Sequence, residues 1–587
     1  MKTHSHHGKK AKVDSIQEKP HPPGIDAKLK SSVIPNKQRK STQSESSLTE
    51  LTLPPQVYLI GCGNIATPAD ASAQTMGFKA WNLYRMAQMS LPVPPAFVLG
   101  TYYCSDPEGQ VKAKDQSLWQ AGLKALESTT HLGLGDARRP LLLSVRSGAA
   151  VSMPGMMETI LNIGLCDKTI GGLLRQTGNP RLVWDAYRRL IASYGEVVEG
   201  IASQNFEDAT GALFGTRDER DLDFAELRTL TLRYLEVYQQ TAGRLFPQDP
   251  KLQLSGAIHA VLASWQSSKA LEYRRMNHIS DTLGTAVTIQ SMVFGNSGGQ
   301  SGSGVGFTRN PVTGEAAPWV DFLFNAQGED VVSGRRNAHG HEELAAILPN
   351  VWQALQDATQ ELEHHFADMQ DFEFTVQDNR LFMLQTRSGK RTPYATARIA
   401  LDMLDEGLID SSVARERTAG LTREVLAQPR IVAASGEALV PLASATSASN
   451  GVATGEIALD EARAVARNAI GVAVVLVRRD AETSDIAALE LAAGLLTQRG
   501  ARTSHAAVVA RQLGKVCLVS CTELQIDENA RTIKIGGTTL HEGDLLTLDG
   551  NEGKLYAGSV KLEIDYPLEL LARLEAMSAS QHRNQRI

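Results

Sequence analysis

The apolar residues of this chain change their period along its length, and the order of those changes limits the fold more than any single motif does. From Val57 to Leu165, short apolar runs alternate with turns marked by Gly and Pro, which predicts strands. From Leu173 to Arg275 the spacing moves to three and four residues, a helical pattern broken at Pro247 and Pro250. Strand periodicity returns between Thr285 and Arg387, around the glycine-rich stretch Gly295–Gly306 and a helix near Glu342–Met369. Residues Thr392 to Asn450 hold a helical stretch and then the Ala- and Ser-rich run Ala433–Asn450, whose small polar side chains suit a linker. A compact α/β unit is predicted from Gly451 to Gly558, with Val472–Val477 as a buried strand, and a short charged helix and tail follow. There is no internal repeat. The 587 residues exceed what one hydrophobic core organises. The expectation is an α/β and α+β multidomain chain.

Composition removes several function classes. The formal net charge of −6 and a pI near 6.2 argue against a nucleic-acid binder, which should be basic. No apolar stretch approaches the roughly 20 residues of a membrane helix, and the N-terminus has no apolar signal segment. Cys62, Cys104, Cys166, Cys517 and Cys521 are scattered without metal-ligand spacing, so reduced structural thiols in a cytoplasmic protein are expected. Residues 1–55, rich in Lys, Ser, Pro and Gln, cannot bury enough apolar surface to offset chain entropy and are expected to be disordered. His4, His6 and His7 in that tail are assigned no function.

The string Gly494-Leu-Leu-Thr-Gln-Arg-Gly-Ala-Arg-Thr-Ser-His505-Ala-Ala-Val-Val-Ala-Arg-Gln-Leu-Gly514 reads as strand, loop and helix. Thr503 is the expected N-cap and Gly514 the expected C-cap. His505 then lies in the first helical turn, where unpaired N–H groups and the helix dipole favour anions. A neutral, nucleophilic imidazole is favoured there, and a phosphoryl group placed on it meets ready donors. Arg499 and Arg502 add positive charge. For a lone histidine, packing at a helix end is the simpler reading.

No Walker A loop is present, since Gly389-Lys390-Arg391-Thr392 lacks its spacing. The hairpin Asp371–Arg387 is more informative. Alternation puts Phe372, Phe374 and Val376 on one face and Asp371, Glu373 and Thr375 on the other. A three-residue loop, Asp378–Arg380, pairs Phe374 with Leu384 and Val376 with Phe382, and sets Glu373 beside Gln385 and Asp371 beside Arg387. Two carboxylates, an amide and a guanidinium on one face suit Mg²⁺ and polyphosphate. A solvated strand with a cross-strand ion pair fits the same residues equally well.

Several strings then point one way. Arg-Gly-x-x-Thr-Ser-His505-Ala-Ala-Val-Val-Ala-Arg resembles the phosphohistidine signature of phosphoenolpyruvate-utilising enzymes, with Ala501 where that family usually has glycine. Leu141–Met157, Gly77–Leu83, Leu91–Pro95, Phe246–Pro250, Tyr273–Asn277, Thr285–Gly295, Gly304–Glu315, Asn325–Asp330 and Leu384–Thr392 resemble the pyruvate phosphate dikinase family. The resemblance covers about Val57 to Gly558. It implies an ATP-grasp nucleotide-binding domain over residues 56–390, with a helical insertion at about 173–275, and a helical segment and linker over 391–450. A swivelling α/β phosphohistidine domain over 451–560 and a C-terminal helix and tail over 561–587 complete the expectation.

By that resemblance His505, Arg387 and Arg146 are catalytic. Lys79, Arg146, Asp371, Glu373, Gln385 and Arg387 hold the nucleotide, and Glu373, Gln385 and Asp371 surround Mg²⁺. Near Lys79 the family usually reads Gly-Gly-Lys-Gly-Ala-Asn-Leu, and Met76, Phe78, Ala80 and Trp81 depart from it. Met153–Met157 reads equally as core packing or as part of a loop that closes as a lid. The implied reaction takes ATP and phosphate to AMP, pyrophosphate and phospho-His505. The family's pyruvate-binding barrel, which needs about 200 residues, is not expected in the remaining residues after Gly558. Transfer is therefore expected to pyruvate or another acceptor on a separate barrel chain. The alternatives are a non-pyruvate small-molecule acceptor and a nucleotide-binding regulatory module of reduced activity. No nucleic-acid or membrane partner is expected, and homo-oligomerisation is left open.

Overall fold

The computed structural model describes residues 52–584 except 64–67, 114, 152, 154–156, 216, 218, 333–339, 433–438 and 481–484; at residues 220, 332, 505 and 580–584 only the backbone is described. The predicted tail up to Leu51, the centre of the Met153–Met157 loop and residues 433–438 of the predicted linker lie outside the described residues.

Three sheets organise the chain. The first is antiparallel and five-stranded, in the order β1-β2-β5-β3-β4, from β1 (Val57–Ile60), β2 (Ala96–Leu99), β3 (Leu143–Ala149), β4 (Thr159–Ile163) and β5 (Thr285–Ser291). The second is antiparallel and four-stranded, in the order β7-β6-β8-β9, from β6 (Gly302–Phe307), β7 (Trp319–Phe324), β8 (Gln370–Gln377) and β9 (Arg380–Ser388). The two share one core. Tyr58, Ile60, Val98 and Ala286 of the first sheet join Phe322, Phe372, Phe374 and Val376 of the second, with the helix Phe78–Gln88 packed between them and Pro349–Phe366 packed on the second.

Between β4 and β5 the chain is helical, as the spacing predicts, in elements that include Asp167–Thr177, Pro180–Glu199, Ser203–Phe214, Phe224–Ala242, Pro250–Ala263 and Ser268–Met276. Pro250 opens a helix at its first position, capped by Asp249, where a missing N–H costs nothing. The stretch from Val57 to Leu165 is less purely strand than expected. It contains the helices Phe78–Gln88 and Ser117–Thr130, whose buried residues recur at helical spacing.

The third sheet has eight strands in the order β11-β21-β20-β13-β14-β15-β16-β12. Its parallel centre is β13 (Val452–Ala458), β14 (Val474–Arg478), β15 (Gly494–Thr497) and β16 (Val516–Val519). Antiparallel flanks are β11 (Ala443–Ser444), β12 (Thr446–Ser449), β20 (Leu545–Asp549) and β21 (Lys554–Ala557). Alternate residues of the centre face two cores, so the apolar run in β14 is buried on both sides. The three-stranded antiparallel sheet β17 (Gln525–Asp527), β18 (Thr532–Ile535), β19 (Thr538–His541) closes one of them through Ile533 and Ile535. The chain enters this unit through β10 (Gln428–Ile431) and leaves through β22 (Leu562–Asp565), and these two strands pair antiparallel.

The predicted linker is thus partly built into the sheet. Ala448 and Ser449 of β12 are buried, so small size serves close packing there rather than flexibility. The final helix, Leu568–Asn584, returns to the helices Pro393–Asp405 and Ser411–Thr418 through Leu570 and Met577. Among the described residues no helix is long and apolar enough to cross a membrane.

Candidate active site

The β8–β9 hairpin keeps the predicted faces but reaches them by another route. Asp378 and Asn379 both have positive φ and form a two-residue turn, not the three-residue loop expected. That turn pairs Phe374 with Met383 and Val376 with Leu381, in place of Leu384 and Phe382. A register shift between Glu373 and Phe374 leaves Leu384 as the extra residue and restores Glu373 opposite Gln385 and Asp371 opposite Arg387. The bulge lets apolar and polar faces both stay in register.

Arg387 donates to Asp371 Oδ2 from Nε, with Nη2 also 2.8 Å away, and Gln385 Nε2 donates to Glu373 Oε1 at 3.3 Å. Burial pushes the Asp371 carboxyl up, with Arg387 pulling against it. From the first sheet, Arg146 in the middle of β3 brings Nη2 to 3.8 Å from Glu373 Oε2. Lys79 stands in the first turn of Phe78–Gln88, pinned by two contacts. Gly77 has φ of +76°, and a Cβ there would lie 1.9 Å from the Gly148 carbonyl oxygen, so only glycine lets the helix start press on β3. Asn82 Nδ2 donates to the Thr386 carbonyl at 2.8 Å.

Lys79, Gln385 and Arg387 line a small pocket of about 40 Å³ with Ser147, Gly148 and Phe78. Crowding by protein, then the Arg146 guanidinium, push the Lys79 ammonium down to about 8, with Glu373 opposing and Arg387 adding. The side chain nevertheless keeps open surface toward the cleft, so solvent moderates that effect. Phe78, a departure from the family pattern, forms part of the wall beside the lysine.

Three cations against two carboxylates suit a polyphosphate. No cluster of three His, Cys, Asp or Glu occurs among the described residues. Magnesium ordinarily takes one or two carboxylates and completes its shell with phosphate oxygens and water. Glu373 and the Gln385 amide fit that role, whereas Asp371 is committed to Arg387.

His505 opens the helix His505–Gln512. The N-cap is Ser504, which accepts from Ala507 N at 3.4 Å, and not Thr503; Leu513 is the C-cap, and Gly514 follows with φ of +65°. Thr503 is engaged elsewhere. Its N–H and hydroxyl both donate to Asp321 Oδ2, at 3.1 and 2.8 Å, and Arg502 donates from Nε to Asp321 Oδ1 at 2.7 Å. Asp321 lies on β7, so the loop leading into the histidine helix is seated on the second sheet.

Register ties that seat to the polyphosphate residues. Asp321, Val305, Glu373 and Gln385 stand opposite one another across the four strands, and so do Trp319, Phe307, Asp371 and Arg387 two residues along. Both rows therefore point to one face, with Asp321 and Glu373 two strands apart, about 10 Å. The sequence reading missed Asp321 and Trp319. A single carboxylate within the apolar run Trp319–Phe324 was the available signal, but its partners lie far along the chain.

Comparison with known proteins identifies the domains that carry these residues. A family model described as pyruvate phosphate dikinase, AMP/ATP-binding domain, matches residues 123–341 and 337–408, and one described as PEP-utilising enzyme, mobile domain, matches residues 471–553. The first match contains Arg146 in its 123–341 segment and Asp371, Glu373, Gln385 and Arg387 in its 337–408 segment, and the mobile-domain match contains His505. Pyruvate, phosphate dikinase of Clostridium symbiosum is 42% identical over 495 residues, 83% of this chain and 57% of that protein. The chloroplastic pyruvate, phosphate dikinase 1 of Arabidopsis thaliana is 41% identical over 493 residues, 83% of this chain and 51% of that protein. Pyruvate, phosphate dikinase 2 of Zea mays is 41% identical, with 83% and 56% covered. The chain spans a little over half the length of these curated relatives. It is built from two domains of the pyruvate phosphate dikinase family, the AMP/ATP-binding domain followed by the mobile domain of the phosphoenolpyruvate-utilising enzymes.

Proposed function

We propose that this chain is an ATP-dependent phosphotransferase in which ATP, phosphate and His505 give AMP, pyrophosphate and phospho-His505, the β-phosphoryl group remaining on the imidazole. Lys79, Arg146 and Arg387 bind the polyphosphate, and Glu373 and Gln385, with Asp371 behind them, hold Mg²⁺. When bound, the metal supplies charge neutralisation on the phosphate oxygens. Gln385 orients Glu373, Asp371 orients Arg387, and the first turn of the histidine helix offers N–H groups to the transferred phosphoryl. The domain limits we assign are those of the sequence reading, residues 56–390 for the nucleotide domain and 451–560 for the mobile domain. The mobile domain then carries the group to pyruvate or another acceptor bound outside these two domains, on a separate chain, so that these residues perform the partial reaction.

One observation supports this reading above the others: the loop entering the His505 helix is seated on the same sheet face that carries Asp371, Glu373, Gln385 and Arg387. Incubation with β-labelled ATP, Mg²⁺ and phosphate should leave label on the wild type and none on His505→Ala. Absence of label from the wild type would sink the proposal, and nucleotide binding without AMP would instead make the chain a regulatory module.

A further inference from the structure

Arg511 is the least explained charge near the site. It is the seventh residue of the His505–Gln512 helix and is 1% exposed. Its side chain runs back along the helix, as long helical side chains do. Nη2 donates to the Arg502 carbonyl at 3.0 Å, in the loop just before His505, and Nε donates to the Ala448 carbonyl at 3.0 Å. Nη1 is buried with no hydrogen-bond partner among the described residues.

The guanidinium does not end within its own domain. Its carbon lies 5.3 Å from the Phe307 ring centroid and 5.2 Å from that of Trp319, while Arg502 covers Trp319 at 4.3 Å. Trp319 and Phe307 are the first two members of the row that continues to Asp371 and Arg387. One arginine therefore ties the histidine loop to β12 with one hydrogen bond to each, and lays its guanidinium against the nucleotide domain, one strand from Asp371. Leaving Nη1 unpaired is costly, and the stacking on the facing rings is what offsets it.

We infer that Arg511 is a positioning residue for the phosphorylation of His505, bracing the loop that precedes the histidine and seating it on Trp319 and Phe307. The inference rests on the proposed function. Its chemistry is geometric: the side chain forms no bond to the reacting atoms, and it acts by limiting where the helix start can sit. Lysine keeps the charge but has neither the fork that spans two carbonyls nor the flat face that stacks.

The test uses the full chain with Mg²⁺, phosphate and β-labelled ATP, and reads nucleotide affinity separately by calorimetry. In Arg511→Lys and in Trp319→Leu the affinity should stay within about twofold, while the rate of label capture falls by about tenfold or more, the scale of a misplacement near 1 Å. The double variant should be no slower than the slower single variant, because both changes break one contact. Capture by Arg511→Lys at the wild-type rate, or effects that multiply in the double variant, would overturn the inference. If Arg511→Lys does not fold, Trp319→Leu decides alone, since its residue belongs to the other domain; an undiminished rate there overturns the inference as well. Wild-type protein that takes no label overturns the proposed function, and this inference with it.

Discussion

At the scale of single residues, the carboxylates of this chain divide by what faces them. Asp371 and Asp321 are pushed up by burial, each with arginine pulling back. Asp185, on Pro180–Glu199, ends the other way. Burial pushes its carboxyl up, but Arg189 and Arg188, at 3.0 and 2.8 Å, pull harder and hold it below the ordinary range. Arg189 also reaches Glu329 and Asp330, and Arg188 reaches Glu219, so Asp185 is the buried anchor of a network between the helical region and the short helix Gly328–Val332 that follows β7. A carboxylate with a lowered folded pKa contributes stability above its unfolded pKa, about 3.9, and loses it as pH falls through the folded value. Asp185→Asn should therefore destabilise the protein at pH 7 by up to roughly 3–5 kcal/mol, because two arginines lose their buried partner and keep only more exposed ones. Urea midpoints measured against pH should show that gap holding down to about pH 5 and closing below about pH 4. A gap independent of pH would mean that shape, not charge, sets the cost.

Among the elements, the ribbon β10–β22 carries the clearest consequence. The strands entering and leaving the mobile domain pair over four residues, with Arg430 opposite Glu563 and their side chains 3.7 Å apart. Arg423 stacks on Tyr566 at its base, at 4.1 Å. A paired ribbon moves as one body, and Val432 N–H donating to the Lys561 carbonyl at 3.1 Å extends it by one step. Cysteines at both positions, Arg430→Cys with Glu563→Cys, should form a disulfide without competition from the five native thiols, all of them buried. Solution scattering should be the same oxidised and reduced; a profile that contracts on oxidation and recovers with reductant would show that the strands separate in use. This ribbon was not legible in the sequence, because pairing of four residues across the whole mobile domain leaves no local pattern. Periodicity did reveal the helices after Asp167, the strand β14 and the two faces of the β8–β9 hairpin. It missed the turn and bulge around Leu384, where two backbone solutions satisfy the same alternation. It also read Ala433–Asn450 as linker, since small residues signal flexibility and tight packing alike; Ala448 is fully buried in the mobile domain's core. Of the candidate site, the resemblance named the side chains that converge on the cleft, while Asp321 and Trp319, whose partners come from the mobile domain, needed the fold.

For the whole molecule the question is what keeps the mobile domain where it is while leaving it free to depart. A buried ion pair suits both demands, because removing two charges from water costs nearly what their attraction returns. Asp321 is 2% exposed and its carboxyl is pushed up by burial, with Arg502 and Thr503 pulling back. Released into solvent, the carboxylate and the guanidinium both regain hydration, so the seat is well defined in position and modest in net energy. Asparagine at this position can still accept from Thr503 but offers no charge to Arg502, which would then keep its hydrogen bond to the Val320 carbonyl but sit partly buried without a counter-charge against Trp319. Asp321→Asn should accordingly leave nucleotide affinity within about twofold, slow the labelling of His505 several-fold and enlarge the radius of gyration in solution, since the seated arrangement loses part of what holds it. Raising ionic strength should change the wild type little, because the pair is shielded from salt, and that separates this contact from a surface bridge. Unchanged scattering together with an unchanged labelling rate would show that the aromatic stack alone holds the domain and that Asp321 merely fills the space beneath Thr503.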